Sequence, residues 1–242
     1  MRQKLLLMGL VGALALAVSP VQAFAQTCQG PISWGTTYAY ESNYANNISA
    51  NGSVLTIVGT VNCFSGVFAD LNPPANEYSV YITGVSNGTV VTPINVVSRD
   101  AYETNYSNVS IEIWDDNSNN AVFTDNPPNA DVPSKFRDGT LFLSGVADNL
   151  NVLFFLAQGS GNYLGGNFDS GGNLGDVWTG GSAYGRVNVG GKGCPLRLTG
   201  GWNVTPSALP PGYTADVEGK IDTDCATPAE PTTWGRLKSL YN

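Results

Sequence analysis

The sequence of 242 residues contains no histidine, and only 12% of its residues are charged. Histidine is the commonest general base, the usual partner of a Ser or Cys nucleophile and the usual zinc or copper ligand, so its absence excludes most hydrolase and transition-metal chemistry. Lys and Arg number 11 against 19 Asp and Glu, without any basic run. A nucleic-acid-binding surface needs clustered cations, so nucleic acid is not expected as a partner. Carboxylate chemistry and oxygen-ligated Ca²⁺ remain.

The sequence also lacks an apolar run long enough to span a bilayer. The longest run, residues 5–18, has about 14 residues, whereas a spanning helix needs roughly 20. An Arg and a Lys precede this run, and Ala-Phe-Ala at 23–25 follows it as a small-x-small cleavage site. This order is typical of a secretory signal peptide over residues 1–25. We therefore expect a secreted or cell-surface protein that begins at Gln26 and has no transmembrane anchor.

Four cysteines fall in two groups near the ends of the expected mature chain. An even number of cysteines in an exported chain indicates disulfides, and no CxxC motif is present to suggest a metal site. Three pairings are open to four cysteines. The economical one joins Cys28 to Cys63 and Cys194 to Cys225, closing two loops of about 30 residues that would each stabilise the fold by about 3 to 4 kcal/mol.

The apolar residues of the mature chain recur with a period of two, which is typical of strands that are buried on one face. About ten short strands and no long helical pattern predict an all-β fold, an antiparallel β-sandwich with a jelly-roll arrangement as one form of it. We expect a single domain over residues 26–225. The clearest strand patterns cover residues 53–61, 77–85, 109–114 and 213–221.

Turn signals set the expected ends of several strands. Asn87-Gly88 predicts a hairpin with a type I′ turn, because both central residues of that turn need positive φ. A second turn is expected at residues 147–149. The apolar run over residues 152–157 shows no alternation, which predicts a strand covered on both faces.

The C-terminal end departs from the strand pattern. Residues 226–233 are rich in Pro and Thr and predict an extended linker, which leads to a short helix over residues 234–242. Trp234, Leu237 and Tyr241 would share one face of that helix. Because two helical turns are not stable alone in water, these side chains predict a docking tail.

The same segment carries a resemblance. Thr232-Thr-Trp-Gly-Arg-Leu-Lys-Ser-Leu-Tyr241 resembles a Thr-Trp-Gly-x-Ile/Leu-Lys-x-Leu-Tyr tail of uncharacterised exported bacterial proteins. Some of those proteins are also similar across residues 30–35, 134–145 and 212–224. The resemblance implies export and a common fold over most of the mature chain, and it assigns no activity.

An acidic loop follows the strand at 109–114. Its Asp and Asn side chains have the 1, 3, 5 spacing that wraps oxygen ligands around Ca²⁺, but the Gly and Glu of an EF-hand are missing. An irregular Ca²⁺ site is therefore one interpretation, and a solvated loop with Asx turns is the other. No other cofactor is expected. The candidate ligands are Asp115, Asp116, Asn117 and Asn119.

Aromatic side chains suggest a second kind of site. Trp114 is predicted to lie on the polar face of its strand beside Glu112, and Trp178 and Tyr184 lie in a glycine-rich stretch where a ligand could approach the backbone. Exposed rings with polar neighbours are typical of carbohydrate-binding modules. The competing interpretation is that these rings pack in the core, as most Trp residues do.

Carboxylate pairs give a third, weaker interpretation. Glycoside hydrolases use two carboxyl groups that flank the scissile bond, and Glu112 with Asp138 or Asp169 is a conceivable pair that no spacing selects. No catalytic residue is therefore assigned. The expected function is a non-enzymatic component of the cell surface or extracellular matrix, with a polysaccharide or a cell-envelope component as partner. A carbohydrate-binding module is the alternative, followed by a glycan hydrolase.

Overall fold

The computed structural model describes residues 28–71, 74–124, 126–205 and 209–225. The predicted signal peptide, the linker and the tail with Trp234, Leu237 and Tyr241 lie outside these residues. Within the described residues, short 3₁₀ helices occur at Gly66–Leu71, Asn95–Val97, Ser134–Phe136 and Tyr184–Arg186. The strands are β1 (Ile32–Glu41), β2 (Tyr44–Ala45), β3 (Ile48–Ser49), β4 (Val54–Phe64), β5 (Glu77–Ile94), β6 (Arg99–Asp116), β7 (Thr140–Ala157), β8 (Tyr163–Asp169), β9 (Val177–Gly180), β10 (Asn188–Val189), β11 (Lys192–Gly193), β12 (Leu196–Asn203) and β13 (Ala215–Thr223).

Eight antiparallel strands form one closed sheet. Their order is β6-β5-β4-β1-β13-β12-β8-β7, and β7 pairs with β6 to complete the ring, while β9 adds to β7. The prediction of an all-β antiparallel fold is confirmed. The prediction of a sandwich is wrong, because the sheet closes into a barrel instead of forming two separate layers. Strands β5, β6 and β7 have 18 residues each and are long enough to bend around the core.

Both predicted turns lie inside these long strands. Asn87-Gly88 is part of β5, where the register against β6 shifts between Ser86 and Thr89 and Gly88 has φ +89°. A glycine with positive φ also occurs in one type of β-bulge, and a bulge bends a strand without ending it. The chain reverses at Asn95–Val97 instead. The hairpin prediction is therefore wrong at this position.

The turn expected at 147–149 is a wrong prediction, because β7 runs through these residues as a continuous strand. The buried residues change from odd to even numbers there, from Ala147 to Leu150. The paired strand β6 changes in the opposite sense, from Tyr106 to Val109. The run over 152–157 then alternates between buried and half-buried residues, so the prediction that it is covered on both faces is wrong.

The interior of the closed sheet holds one large apolar cluster. Val109, Ile111 and Ile113 of β6 belong to it and alternate with polar residues, as predicted. On β13 the same alternation places Val217 and Ile221 inside. A second cluster lies where the segment between β6 and β7 covers the outside of the sheet, and its buried members are Tyr40, Val58, Val132, Phe136 and Tyr213.

Two disulfides join Cys28 to Cys63 and Cys194 to Cys225, which confirms both predicted pairings. The first ties the segment before β1 to β4, and the second ties the segment before β12 to the end of β13. Such bonds are common in proteins of oxidising compartments. Across the described ranges, none of the helices has the length and apolarity that crossing a membrane requires.

Candidate functional site

Trp114 and Glu112 lie together on the outer face of β6, two residues apart. The Trp114 Nε1–H donates to Glu112 Oε2 at 2.9 Å. Arg137 donates to both carboxylate oxygens of Glu112, at 2.8 and 3.2 Å, and its guanidinium lies 4.5 Å from the ring centre of Tyr81. The polar atoms of this cluster are thus bonded to one another. A sugar that stacks on Trp114 would compete with Arg137, which lies 5.8 Å from that ring.

Trp178 lies in the interior, unlike Trp114. Its side chain is 1% exposed, and its Nε1–H donates to Thr223 Oγ1 at 2.8 Å. The ring packs beside Gly145 of β7, where a Cβ would approach it to 3.1 Å. An exposed Trp178 ring is therefore a wrong prediction, since β9 pairs with β7 and turns this side chain into the core. Tyr184 is half-buried at the start of a 3₁₀ helix.

Tyr184 and Trp178 border an open cavity of about 950 Å³ beside β9. Two large apolar side chains are exposed on it, Leu174 at 98% and Val189 at 40%. Cys194 is part of its wall, and the disulfide from Cys194 holds Cys225, the last residue before the predicted linker. We call this surface the β9 groove. Its wall includes Leu174, Val177, Tyr184, Val189, Lys192, Pro195 and Asp224.

Three of the four candidate Ca²⁺ ligands, Asp115, Asp116 and Asn119, make hydrogen bonds within the chain. Asp115 Oδ1 accepts a hydrogen bond from Asn76 Nδ2, and buried Asp116 accepts one from the Ser118 N–H, each at 2.8 Å. Asn119 has φ +49° and donates to the Asn117 carbonyl at 3.4 Å. The contact between Asp116 and the Ser118 N–H is an Asx turn, whereas Asn76 reaches Asp115 from 39 residues away in sequence. Among the residues that the structure describes, no three acidic, His or Cys side chains are grouped to hold a metal.

Two of the conceivable catalytic carboxylates are engaged by arginines. Glu112 is bonded to Arg137, and Asp169 is paired with Arg197. The hydrogen bonds from Arg197 lower the pKa of Asp169 below its usual range. A general acid of a glycoside hydrolase needs a raised pKa, so Asp169 is poorly suited to that role. Asp138 accepts a hydrogen bond from Asn120.

Comparison with known proteins finds no matching family model, no similar curated protein and no similar solved structure. Function is therefore inferred from the side chains of the chain itself. The sequence predicts that a ligand could approach the glycine-rich stretch. It does not predict the β9 groove, which this stretch forms. Leu174 stands alone between glycines and Asn, and an isolated apolar residue in such a loop was the signal available.

Proposed function

We propose that this protein is an exported, non-enzymatic component of the cell surface or extracellular matrix, and that it attaches to an apolar surface of an envelope protein through the β9 groove. The observation that supports the proposal is the exposure of Leu174 on this groove. Complete burial of one Leu side chain contributes about 1.5 to 3 kcal/mol, which is roughly a tenfold to hundredfold gain in affinity.

The predicted docking tail adds to this surface. Because Cys225 is held by Cys194 at the wall of the groove, residues 226–242 start beside it. Two linked binding elements act at an effective concentration in the millimolar range, so weak contacts by each can give firm attachment. The body of the expected mature chain is acidic, whereas the tail carries two cations, Arg236 and Lys238, against one acidic residue.

Cell fractionation of the full chain, expressed with its signal peptide, tests the proposal. We expect the wild-type protein in the envelope fraction. Deletion of residues 228–242, or Leu174→Ser, should move most of it to the soluble extracellular fraction. Val96→Ser is the matched control, because Val96 is 96% exposed in the turn between β5 and β6 and should not affect attachment.

Thermal unfolding of each purified variant separates attachment from folding. If the deletion lowers the Tm by many degrees, the tail belongs to the core and does not serve as a docking element. If both variants stay in the envelope fraction, the β9 groove is not the attachment surface.

A further inference from the structure

A different face of the sheet carries two adjoining cavities that share Glu218 of β13. One has a volume of about 240 Å³ and the other about 180 Å³. We call them together the β13 groove. The first is bordered by Gln29, Ser33, Trp34, Asn62 and Glu218, and the second by Tyr163, Gly201, Asn203, Asp216 and Glu218.

Strand geometry places the two carboxylates of the groove side by side. Asp216 and Glu218 flank buried Val217, so both project to the outer face with Cα atoms about 6.5 Å apart. On β12, Asn203 is opposite Asp216 and Gly201 is opposite Glu218. A Cβ on Gly201 would meet no atom within 4 Å. Gly201 therefore leaves the floor of the groove open.

Neither carboxylate has a cation partner in the described residues, although five other acidic side chains form ion pairs. The nearest lysine in sequence, Lys220, is bonded to Asp222. Burial raises the pKa of Asp216, and the like charge of Glu218 raises it further. Glu218 is exposed and Asp216 is half-buried, so both carboxylates can accept hydrogen bonds from a ligand in place of water.

Polar atoms of both kinds border the groove. The Asn203 Oδ1 accepts hydrogen bonds from the N–H and hydroxyl of Thr205, which leaves its Nδ2 as a donor. Trp34 is 4% exposed, and its Nε1–H has no partner in the part of the chain that is described. The Asn62 Oδ1 is a buried acceptor that likewise has no hydrogen-bond partner among the described residues.

Both of these atoms are covered by the protein, so a ligand reaches them only when neighbouring side chains move. The backbone is irregular at this point. The register of β1 shifts after Trp34 against both β4 and β13, and such bulges are frequent beside binding sites.

We propose that the β13 groove binds a neutral oligosaccharide, whose hydroxyl groups donate to Asp216 and Glu218 and accept from Asn203 and Trp34. A hydroxyl group both donates and accepts, which suits a wall with both kinds of atom. Two carboxylates repel an anion, and a cation would make no use of the amide and indole donors. This inference is independent of the proposed function, since it concerns a different face and neither the β9 groove nor the tail.

The test is a titration of the ¹⁵N-labelled mature chain with neutral oligosaccharides of glucose, mannose and N-acetylglucosamine, followed by NMR. At about 10 mM ligand, a site of millimolar affinity is largely occupied. We expect saturable shifts of the backbone amides of Gly201 and Val217–Gly219 and of the indole N–H of Trp34 with at least one of these sugars. CaCl₂, spermine and sodium sulfate are the comparison ligands.

Two substitutions locate the site. Gly201→Val places its Cβ where no atom lies within 4 Å, and it should weaken binding at least tenfold while the Tm is retained, because β-branched residues suit strands. Gly185→Val is the matched control, since a Cβ there also meets open space and Gly185 lies in a distant 3₁₀ helix. Glu218→Gln keeps the shape and should weaken binding about tenfold, the loss expected for a hydrogen bond to a charged group.

Three results would overturn the proposal. The first is the absence of shifts with every oligosaccharide, which would mean that the unpaired atoms are bridged only by water. The second is a response of Asp216 and Glu218 to Ca²⁺ or spermine alone. The third is sugar binding that survives Gly201→Val and is lost in Trp114→Ala.

Discussion

Replacement of Arg137 by Met should free the Trp114 surface at a small cost in stability. The side chain of Arg137 is 41% exposed and that of Glu112 is 18% exposed. A pair near the surface is worth about 0.2 to 1 kcal/mol, and the contact of the guanidinium with Tyr81 adds about 0.5 to 1 kcal/mol. The free energy of unfolding should thus fall by about 1 to 2 kcal/mol, which corresponds to a Tm lower by roughly 2 to 8 °C.

Urea unfolding of four proteins measures this value: the wild type, Arg137→Met, Glu112→Gln and the double variant. The coupling energy of this cycle isolates the ion pair, and we expect about 0.5 to 1 kcal/mol. It should fall further in 1 M NaCl, because exposed pairs are screened by salt. A coupling above about 3 kcal/mol would refute the reasoning, since only a pair withdrawn from water gives so large a value. So would a coupling that does not change with salt.

Two further predictions concern a glycine and a carboxylate. Gly139→Ala should lower the free energy of unfolding by about 1 to 3 kcal/mol in a urea titration, because its Cβ would lie 2.3 Å from a carbonyl oxygen of β6; an unchanged midpoint would contradict the close approach. Arg197 lowers the pKa of Asp169. The ionised carboxylate therefore stabilises the fold at neutral pH, and this stabilisation is lost as the pH falls through the lowered pKa. Asp169→Asn should therefore be less stable than the wild type at pH 7, with a difference that shrinks as the pH falls, and a difference that grows with acid would contradict this sign.

Local patterns in the sequence predict which residues face the core, and they do not predict where strands end. The alternation on β6 and β13 follows from burial of one face of a strand, which is a local property. The Asn87-Gly88 dipeptide is compatible with either a hairpin turn or a bulge. The choice between them is made by pairing with β6, whose residues lie far along the chain.

The candidate sites depend still more on distant residues. Trp178 is buried because β9 pairs with β7, and Glu112 is engaged because Arg137 reaches it from a later segment. Asp216 and Glu218 were visible in the sequence as the polar half of a strand. What the sequence could not show is that their neighbours on β12 include a glycine and no cation, which only the register between the two strands establishes.

The closed sheet has a consequence for the time course of folding. β1 lies between β4 and β13, and Ile32 pairs with Ile221. The pairing of the first long strand is therefore complete only when the last strand is present. Contacts between residues so far apart form slowly, because the intervening chain must be ordered before they stabilise it. A chain that crosses a membrane from its N-terminus can therefore complete this ring only after nearly all of it has emerged. Residues 226–242 follow the closing strand in sequence, so in such a chain they would be the last to emerge.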